Sequence, residues 1–178
     1  MEMNKDWTVL TCQNFLDVSD YVEDPPTRLI PEPGAVPIIS GKSSGRYNHP
    51  KLKPLYYECK NILEYILGEK LYPTYYYDRF YFNLSKMKRH TDRPACEISV
   101  SLNISSNLKK PWPIYFETDD GEIDCVTSPG DAVVYKGIEV PHWRNQMNDD
   151  KKSYFHQMFL HFVRADGHYL EYAYDRRD

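Results

Sequence analysis

Glu97-Ile98-Ser99-Val100-Ser101-Leu102-Asn103-Ile104 alternates polar and apolar residues without a break. A period of two puts Ile98, Val100, Leu102 and Ile104 on one face of a pleated strand and Glu97, Ser99, Ser101 and Asn103 on the other. In an ordinary sandwich such a strand turns its polar face to water. Other short β-prone runs surround it. Residues 74–84 are dense in Tyr and Phe, and residues 114–117, 123–127, 132–135 and 154–163 are divided by Pro, Gly, Asp and Asn. Sixteen tyrosines in the chain fit this β-rich reading, because tyrosine suits half-buried pleated surfaces.

Before these strands the pattern is helical. Leu52, Leu55, Tyr56, Cys59, Ile62, Leu63, Ile66 and Leu67 recur at steps of three and four, and Gly68 is placed as a stop. Phe15, Leu16, Val18 and Val22 predict a shorter helix over residues 12–22, ended by Asp24-Pro25-Pro26. Residues 31–45 carry three Pro and three Gly and read as a long loop with a short strand over 36–39, a candidate lid over a substrate. The fold class expected is mainly β with N-terminal helices, a supporting helix packed on a sandwich, with jelly roll and open barrel as the options. One domain over 1–178 is expected, with a helical and loop part at 1–70 and the β core at 71–178.

Composition narrows the function classes. Hydrophobic residues at 41% and charged residues at 27% fit neither a disordered tail nor a membrane protein. A net charge of −4 gives no phosphate-neutralising surface, so non-specific nucleic-acid binding is disfavoured. No apolar run of signal-peptide or spanning length occurs, and a cytoplasmic protein is expected. Cys12, Cys59, Cys96 and Cys125 form no Cys-x-x-Cys pair, so neither a structural zinc site nor a disulfide framework is announced.

Chemistry concentrates in two places. His90-Thr91-Asp92 sets an imidazole and a carboxylate at i and i+2, where an extended or loosely turned backbone lets both reach one metal ion. Pro141-His142-Trp143-Arg144 follows the turn and strand that begin at Pro129-Gly130-Asp131. Two neutral imidazoles and one carboxylate on one face of an octahedron leave three positions open, the arrangement of non-haem Fe(II) oxygenases.

From about Tyr75 to its end the sequence resembles the Fe(II)- and 2-oxoglutarate-dependent dioxygenases, especially their prolyl-4-hydroxylase-like branch. Tyr81, nine residues before His90, matches the tyrosine that precedes the His-x-Asp motif there. Residues 96–103 look like the following core strand, Trp112-Pro113-Ile114 like the next, and Pro129-Gly130-Asp131 like the turn before the distal strand. His142 stands 49 residues beyond Asp92, within the family's range. Leu84-Ser85 departs from the glycine pair usual between that tyrosine and the first histidine.

The resemblance implies a double-stranded β-helix, a cupin-like jelly roll, holding Fe(II) through His90, Asp92 and His142. It implies hydroxylation of a substrate C–H bond, with a prolyl residue as one substrate, and conversion of 2-oxoglutarate to succinate and carbon dioxide, with ascorbate as an accessory reductant. Tyr81 would donate its hydroxyl to the cosubstrate, and the polar face of 97–104 would line the cavity, with Ser101 and Asn103 bonding the cosubstrate. A basic residue about ten positions past the distal histidine anchors 2-oxoglutarate in the family. Lys152 fits that count, while Arg144 shares His142's face and has the planar fork that suits a carboxylate. Arg79 and Arg93 are substrate-facing candidates. His49, His156, His161 and His168 read as structural, and since five residues separate His156 from His161, at most one of that pair points inward. A peptide or small-molecule substrate is expected. Two rivals are a jelly-roll binding module without oxygenase activity and a nucleobase-oxidising enzyme using the basic residues Arg79, Lys86, Lys88, Arg89 and Arg93.

Overall fold

The computed structural model describes residues 6–29 and 38–175. Eleven strands and one α-helix are formed among the described residues: β1 Val9–Cys12, β2 Ile39–Ser40, β3 Ser43–Tyr47, α1 Lys53–Leu67, β4 Leu71–Phe82, β5 Lys86–His90, β6 Ile98–Ser106, β7 Ile114–Thr118, β8 Gly121–Cys125, β9 Ala132–Tyr135, β10 His142–Arg144 and β11 Tyr154–Arg164. One sheet has the order β1-β9-β6-β11-β4-β3 and the other β2-β5-β10-β7-β8. All the recorded pairings are antiparallel. From β4 onward the chain crosses between the sheets at every step except the β7–β8 hairpin, leaving β4, β6, β9 and β11 in one sheet and β5, β7, β8 and β10 in the other. That alternation is the jelly roll.

α1 begins behind a turn of 3-10 helix at Pro50–Leu52 and ends at Gly68, whose φ of 65° is the left-handed cap that glycine adopts without strain. Leu52, Leu55, Tyr56, Cys59 and Leu63 form its buried stripe. They pack on Ile98, Val100, Leu102 and Ile104 of β6, on Met158, Leu160 and Phe162 of β11, and on Leu71 and Tyr76 of β4. Tyr56 ties the layers together: its hydroxyl donates to the His161 carbonyl at 2.7 Å and its ring stacks on Phe162. The apolar face of the alternating strand therefore meets the helix, outside the sandwich. Its polar face, Ser99, Ser101 and Asn103, is buried between the sheets.

Three expectations are corrected. Residues 12–22 are not an α-helix: Val9–Cys12 pairs with β9 and only Ser19–Tyr21 coils, as one turn of 3-10 helix. Phe15, Leu16 and Val18 still enter the core, but through a loop held by the Gly130 carbonyl. Strand pairing at the sheet edge outweighs a helical spacing only three or four residues deep. Helices in the plural at the N-terminal end are thus not found among the described residues, and those of the first seventy contribute three strands. Of the expected lid, residues 31–37 lie outside the described residues, as do Val36 and Pro37 of its short strand. Ser43–Tyr47 is fixed as a strand by pairing with Tyr77–Tyr81, because Ser43 and Gly45 face Tyr81 and Arg79 across a regular ladder. No helix is long and apolar enough to cross a membrane among these residues.

Leu63 is fully buried under the helix. Leu63→Ala should lower unfolding free energy by about 2–5 kcal/mol in a denaturant titration, whereas Tyr65→Ala, on the helix's solvent side at 90% exposure, should leave the midpoint nearly unchanged.

Candidate metal centre

Lys86–His90 is too polar to read as a strand, with Met87 its one buried residue, yet it pairs with β10 and sets His90 opposite His142. The two rings lie 4.3 Å apart between centroids. After His90 the chain leaves the strand, and the amide of Asp92 donates to the Gly137 carbonyl at 2.8 Å, which swings the carboxylate back toward the histidines. Asp92 Oδ1 is 3.4 Å from His90 Nε2 and 3.3 Å from His142 Nε2. One donor atom from each of the three residues falls within 4.8 Å of the others.

The hydrogen bonds prepare these atoms as ligands. His90 Nδ1 donates to the Lys88 carbonyl at 2.7 Å and His142 Nδ1 to the Val140 carbonyl at 2.9 Å. A ring nitrogen that bonds a carbonyl must carry the proton, so in each neutral ring the lone pair is on Nε2, facing Asp92. Burial opposes ionisation of Asp92, but the hydrogen bonds that His142 and His90 can donate from Nε2 once that nitrogen takes a proton outweigh it and hold the carboxyl well below the usual range. Burial likewise opposes a charged His90, and its bonds to Asp92 and the Lys88 carbonyl still raise its pKa. Asp92 has no Lys or Arg partner among the described residues. Two imidazoles and one ionised carboxylate are a donor set that fits a non-haem ferrous ion.

The second oxygen of Asp92 is also engaged. Ser99 Oγ lies 3.1 Å from Asp92 Oδ2 and 2.9 Å from His161 Nδ1. A hydroxyl has one proton, so if it donates to the carboxylate it accepts from the imidazole. The relay His161 to Ser99 to Asp92 leaves Oδ1 for the histidine side. Gly137 makes room for it: a Cβ there would stand 2.5 Å from Asp92 Oδ2 and 2.6 Å from Ser99 Oγ.

Two residues beyond His142 on β10, Arg144 is 2% exposed. Its guanidinium donates to the Trp112 carbonyl at 2.6 Å and to Gln157 Oε1 at 3.0 Å, and lies over the rings of Trp112 and Phe155 at 4.5 and 4.8 Å. Nε has no partner and no carboxylate pairs with the group among the described residues. Burial lowers its pKa to about 10, so it stays a cation at neutral pH. A buried cation with no counter-charge is costly to hold, and an anion beside it would remove that cost.

The other expected site residues are distributed as follows. Tyr81 is fully buried, edge-on to Trp112 at 5.1 Å and near enough to Arg144 to interact with its charge. Ser101 accepts from Gln157 Nε2. Asn103 donates to the Thr127 carbonyl at 2.8 Å, and its Oδ1 is buried without a partner. Arg79 is buried on the inner face of β4, bonded to Ser43 Oγ at 3.0 Å. Arg93 lies over the Tyr75 ring and pairs with Asp175. Lys152 is not brought to the cluster: it sits exposed on the turn before β11, because the ten-residue count runs through a polar loop rather than a strand. The histidine pair splits as expected, with His161 facing inward to Ser99 and His156 bonded to Asp78 on the opposite face.

Gln157 and Gly137 were not singled out by the sequence as members of the site, and Ser99 was placed on the cavity-lining face of 97–104 without a role of its own. Gln157 left a signal, as a polar residue between Phe155 and Phe159 on the strand face that also carries His161.

No protein-family model matches the chain, and none of the curated proteins matches it. Solved structures do. A Pseudomonas putida prolyl-4-hydroxylase superposes with a TM-score of 0.59 at 15% identity, covering 86% of this chain and 92% of that one. The non-heme alpha-ketoglutarate-dependent epimerase SnoN from nogalamycin biosynthesis gives 0.66 at 10% identity, covering 89% and 78%. HygX from Streptomyces hygroscopicus, solved with nickel and 2-oxoglutarate bound, gives 0.65 at 8% identity, covering 89% and 84%. At these identities the likeness establishes a shared fold, the jelly roll.

Ser99→Ala should weaken binding of cobalt(II) to the metal-free protein by roughly 10-fold or more, the usual cost of losing an outer hydrogen bond to a ligand, with a small change in the apo melting temperature. Gly137→Ala should act in the same direction by crowding Asp92. Calorimetric titration beside thermal melts separates this from general unfolding, and unchanged cobalt affinity in Ser99→Ala would remove the relay.

Proposed function

We propose that this protein is an Fe(II)- and 2-oxoglutarate-dependent oxygenase that hydroxylates a C–H bond of a peptide or small-molecule substrate. The observation that carries the reading is the convergence of His90 Nε2, His142 Nε2 and Asp92 Oδ1 in the interior that also holds Arg144 with no counter-charge among the described residues. His90, Asp92 and His142 would hold the ferrous ion on one side. Arg144 would hold the far carboxylate of 2-oxoglutarate through a bidentate contact, with the Trp112 carbonyl and Gln157 fixing the guanidinium.

Trp112, Phe155 and Tyr81, buried together in one cluster, would form an apolar wall around that contact. Tyr81, with Ser101 and Asn103, would complete the polar contacts to the cosubstrate. When bound, iron with 2-oxoglutarate and dioxygen supplies the oxidation of the substrate C–H bond, with release of succinate and carbon dioxide. The Tyr81 and His-x-Asp spacing, together with the likeness to the P. putida prolyl-4-hydroxylase, supports a prolyl residue as the substrate class. Arg79 and Arg93 would meet the substrate beyond the metal.

Anaerobic addition of Fe(II) and 2-oxoglutarate should produce a weak visible charge-transfer band that is absent in His90→Ala. A wild-type protein with no band and no succinate formation would be a jelly-roll binding module. Arg144→Gln should weaken 2-oxoglutarate binding by roughly 10- to 100-fold, from loss of a charged hydrogen bond of about 1.5–3 kcal/mol, and Lys152→Ala should bind it normally. The reverse pattern would move the anchor to Lys152.

A further inference from the structure

Asp92 belongs to two donor sets. Besides the histidine pair, one donor atom each from Asp92, Cys96 and His161 falls within 4.8 Å of the others. The second set is built from separate elements: Asp92 follows β5, Cys96 ends the 3-10 turn Pro94–Cys96, and His161 lies on β11. Cys96 is 2% and His161 3% exposed. No spacing motif reveals it, because 65 residues of chain separate Cys96 from His161.

From this juxtaposition we propose a second cation site, formed by Cys96, His161 and the Asp92 carboxylate and suited to a borderline-soft divalent ion such as zinc. Thiolate, imidazole and carboxylate are the donors zinc takes in fourfold sites, at about 2.0–2.3 Å, whereas the two imidazoles and carboxylate of the neighbouring set suit Fe(II). Two negative donors neutralise a divalent ion, which lowers the cost of burying it. Supporting contacts are already in place. The Tyr75 hydroxyl is 3.2 Å from Cys96 Sγ and is positioned to donate to a thiolate. The Tyr75 ring packs on the His161 ring at 4.7 Å, and Ser99 fixes that ring through Nδ1. Such outer contacts orient metal ligands and raise affinity. Binding releases the thiol proton of Cys96 to solvent, with no change of oxidation state. Because Asp92 is common to both sets and two divalent ions repel, each ion weakens the other. Zinc at Cys96 and His161 therefore acts as an inhibitor of the neighbouring centre.

Cobalt(II), added to the metal-free protein under a non-thiol reductant, tests the site without relying on turnover. Wild-type protein should take up two equivalents, the weaker at least several-fold less tightly, and one should bring an intense near-ultraviolet thiolate-to-cobalt band. Cys96→Ser should lose that band and one equivalent. His90→Ala should keep the band and lose the other equivalent, so failure of the iron reading and failure of this one are distinguishable. His161→Gln, a second route if Cys96→Ser does not fold, should reduce or abolish the band. Absence of the band in wild type, or its survival in a folded Cys96→Ser protein, overturns the site.

Discussion

The packing of α1 on the outside of the larger sheet decides what the inside can be. A strand with one apolar and one polar face buries the apolar face wherever an apolar partner is offered. Here α1 offers it, through Leu55, Tyr56, Cys59 and Leu63, and β6 turns Ile98, Val100, Leu102 and Ile104 toward the helix. The hydroxyls of Ser99 and Ser101 and the amide of Asn103 are thereby sent between the sheets, where a sandwich ordinarily keeps its apolar core. Neighbouring strands follow the same division: β11 gives Met158, Leu160 and Phe162 to the helix, and Gln157 and His161 to the interior.

A polar interior lets opposite charges be kept unneutralised by one another. On β10 His142 and Arg144 are two residues apart, about 6–7 Å along a strand, and the Asp92 carboxylate stands beside the histidine. Neither Asp92 nor Arg144 has a protein counter-ion of opposite full charge among the described residues beyond the titratable histidines. Holding these charges without full counter-ions is costly, and a cation beside Asp92 with an anion beside Arg144 would offset that cost. A dicarboxylate that ligates a metal at one end and meets a guanidinium at the other satisfies both charges in one step.

The sequence made the fold legible where a pattern was long. The alternating strand is Ile98–Ser106, the helical stripe of 52–67 is α1 with Gly68 as its cap, and residues 132–135 are β9. Short or polar segments were opaque. Lys86–His90 exposes four of its five residues at least in part and owes its strand form to β2 and β10 beside it. Phe15, Leu16 and Val18 announce burial but not helix. At the site, His90, Asp92 and His142 could be nominated from residue type and order. That His90 and His142 are cross-strand neighbours depends on register, which two distant segments do not encode locally. Arg144 and Lys152 were equal candidates because loop length hides which side chain turns inward, and Gly137 acts through the absence of a side chain.

Chemistry of the same kind occurs a second time on the other face of the sheet, and the contrast explains why one cluster is open and the other closed. Glu23, Asp78 and His156 also bring donor atoms within 4.8 Å. His156 Nε2 lies 2.7 Å from Asp78 Oδ2 in a fully buried pair, stacked on Phe80. There, however, the protein supplies its own cation. Arg46 bonds Asp78 through Nε at 3.0 Å and reaches Glu23 at 2.6 Å, with Lys51 adding a contact to Glu23. A guanidinium already occupies the position between the two carboxylates that a metal would need, and the cluster fastens β3 and the N-terminal segment to the sheet. At Asp92 no lysine or arginine pairs among the described residues, and the guanidinium groups of Arg93 and Arg144 are engaged elsewhere, by Asp175 and by the Trp112 carbonyl and Gln157. What sets the His90, Asp92 and His142 cluster apart among the described residues is a carboxylate left without a cation, more than the presence of histidine and aspartate side by side.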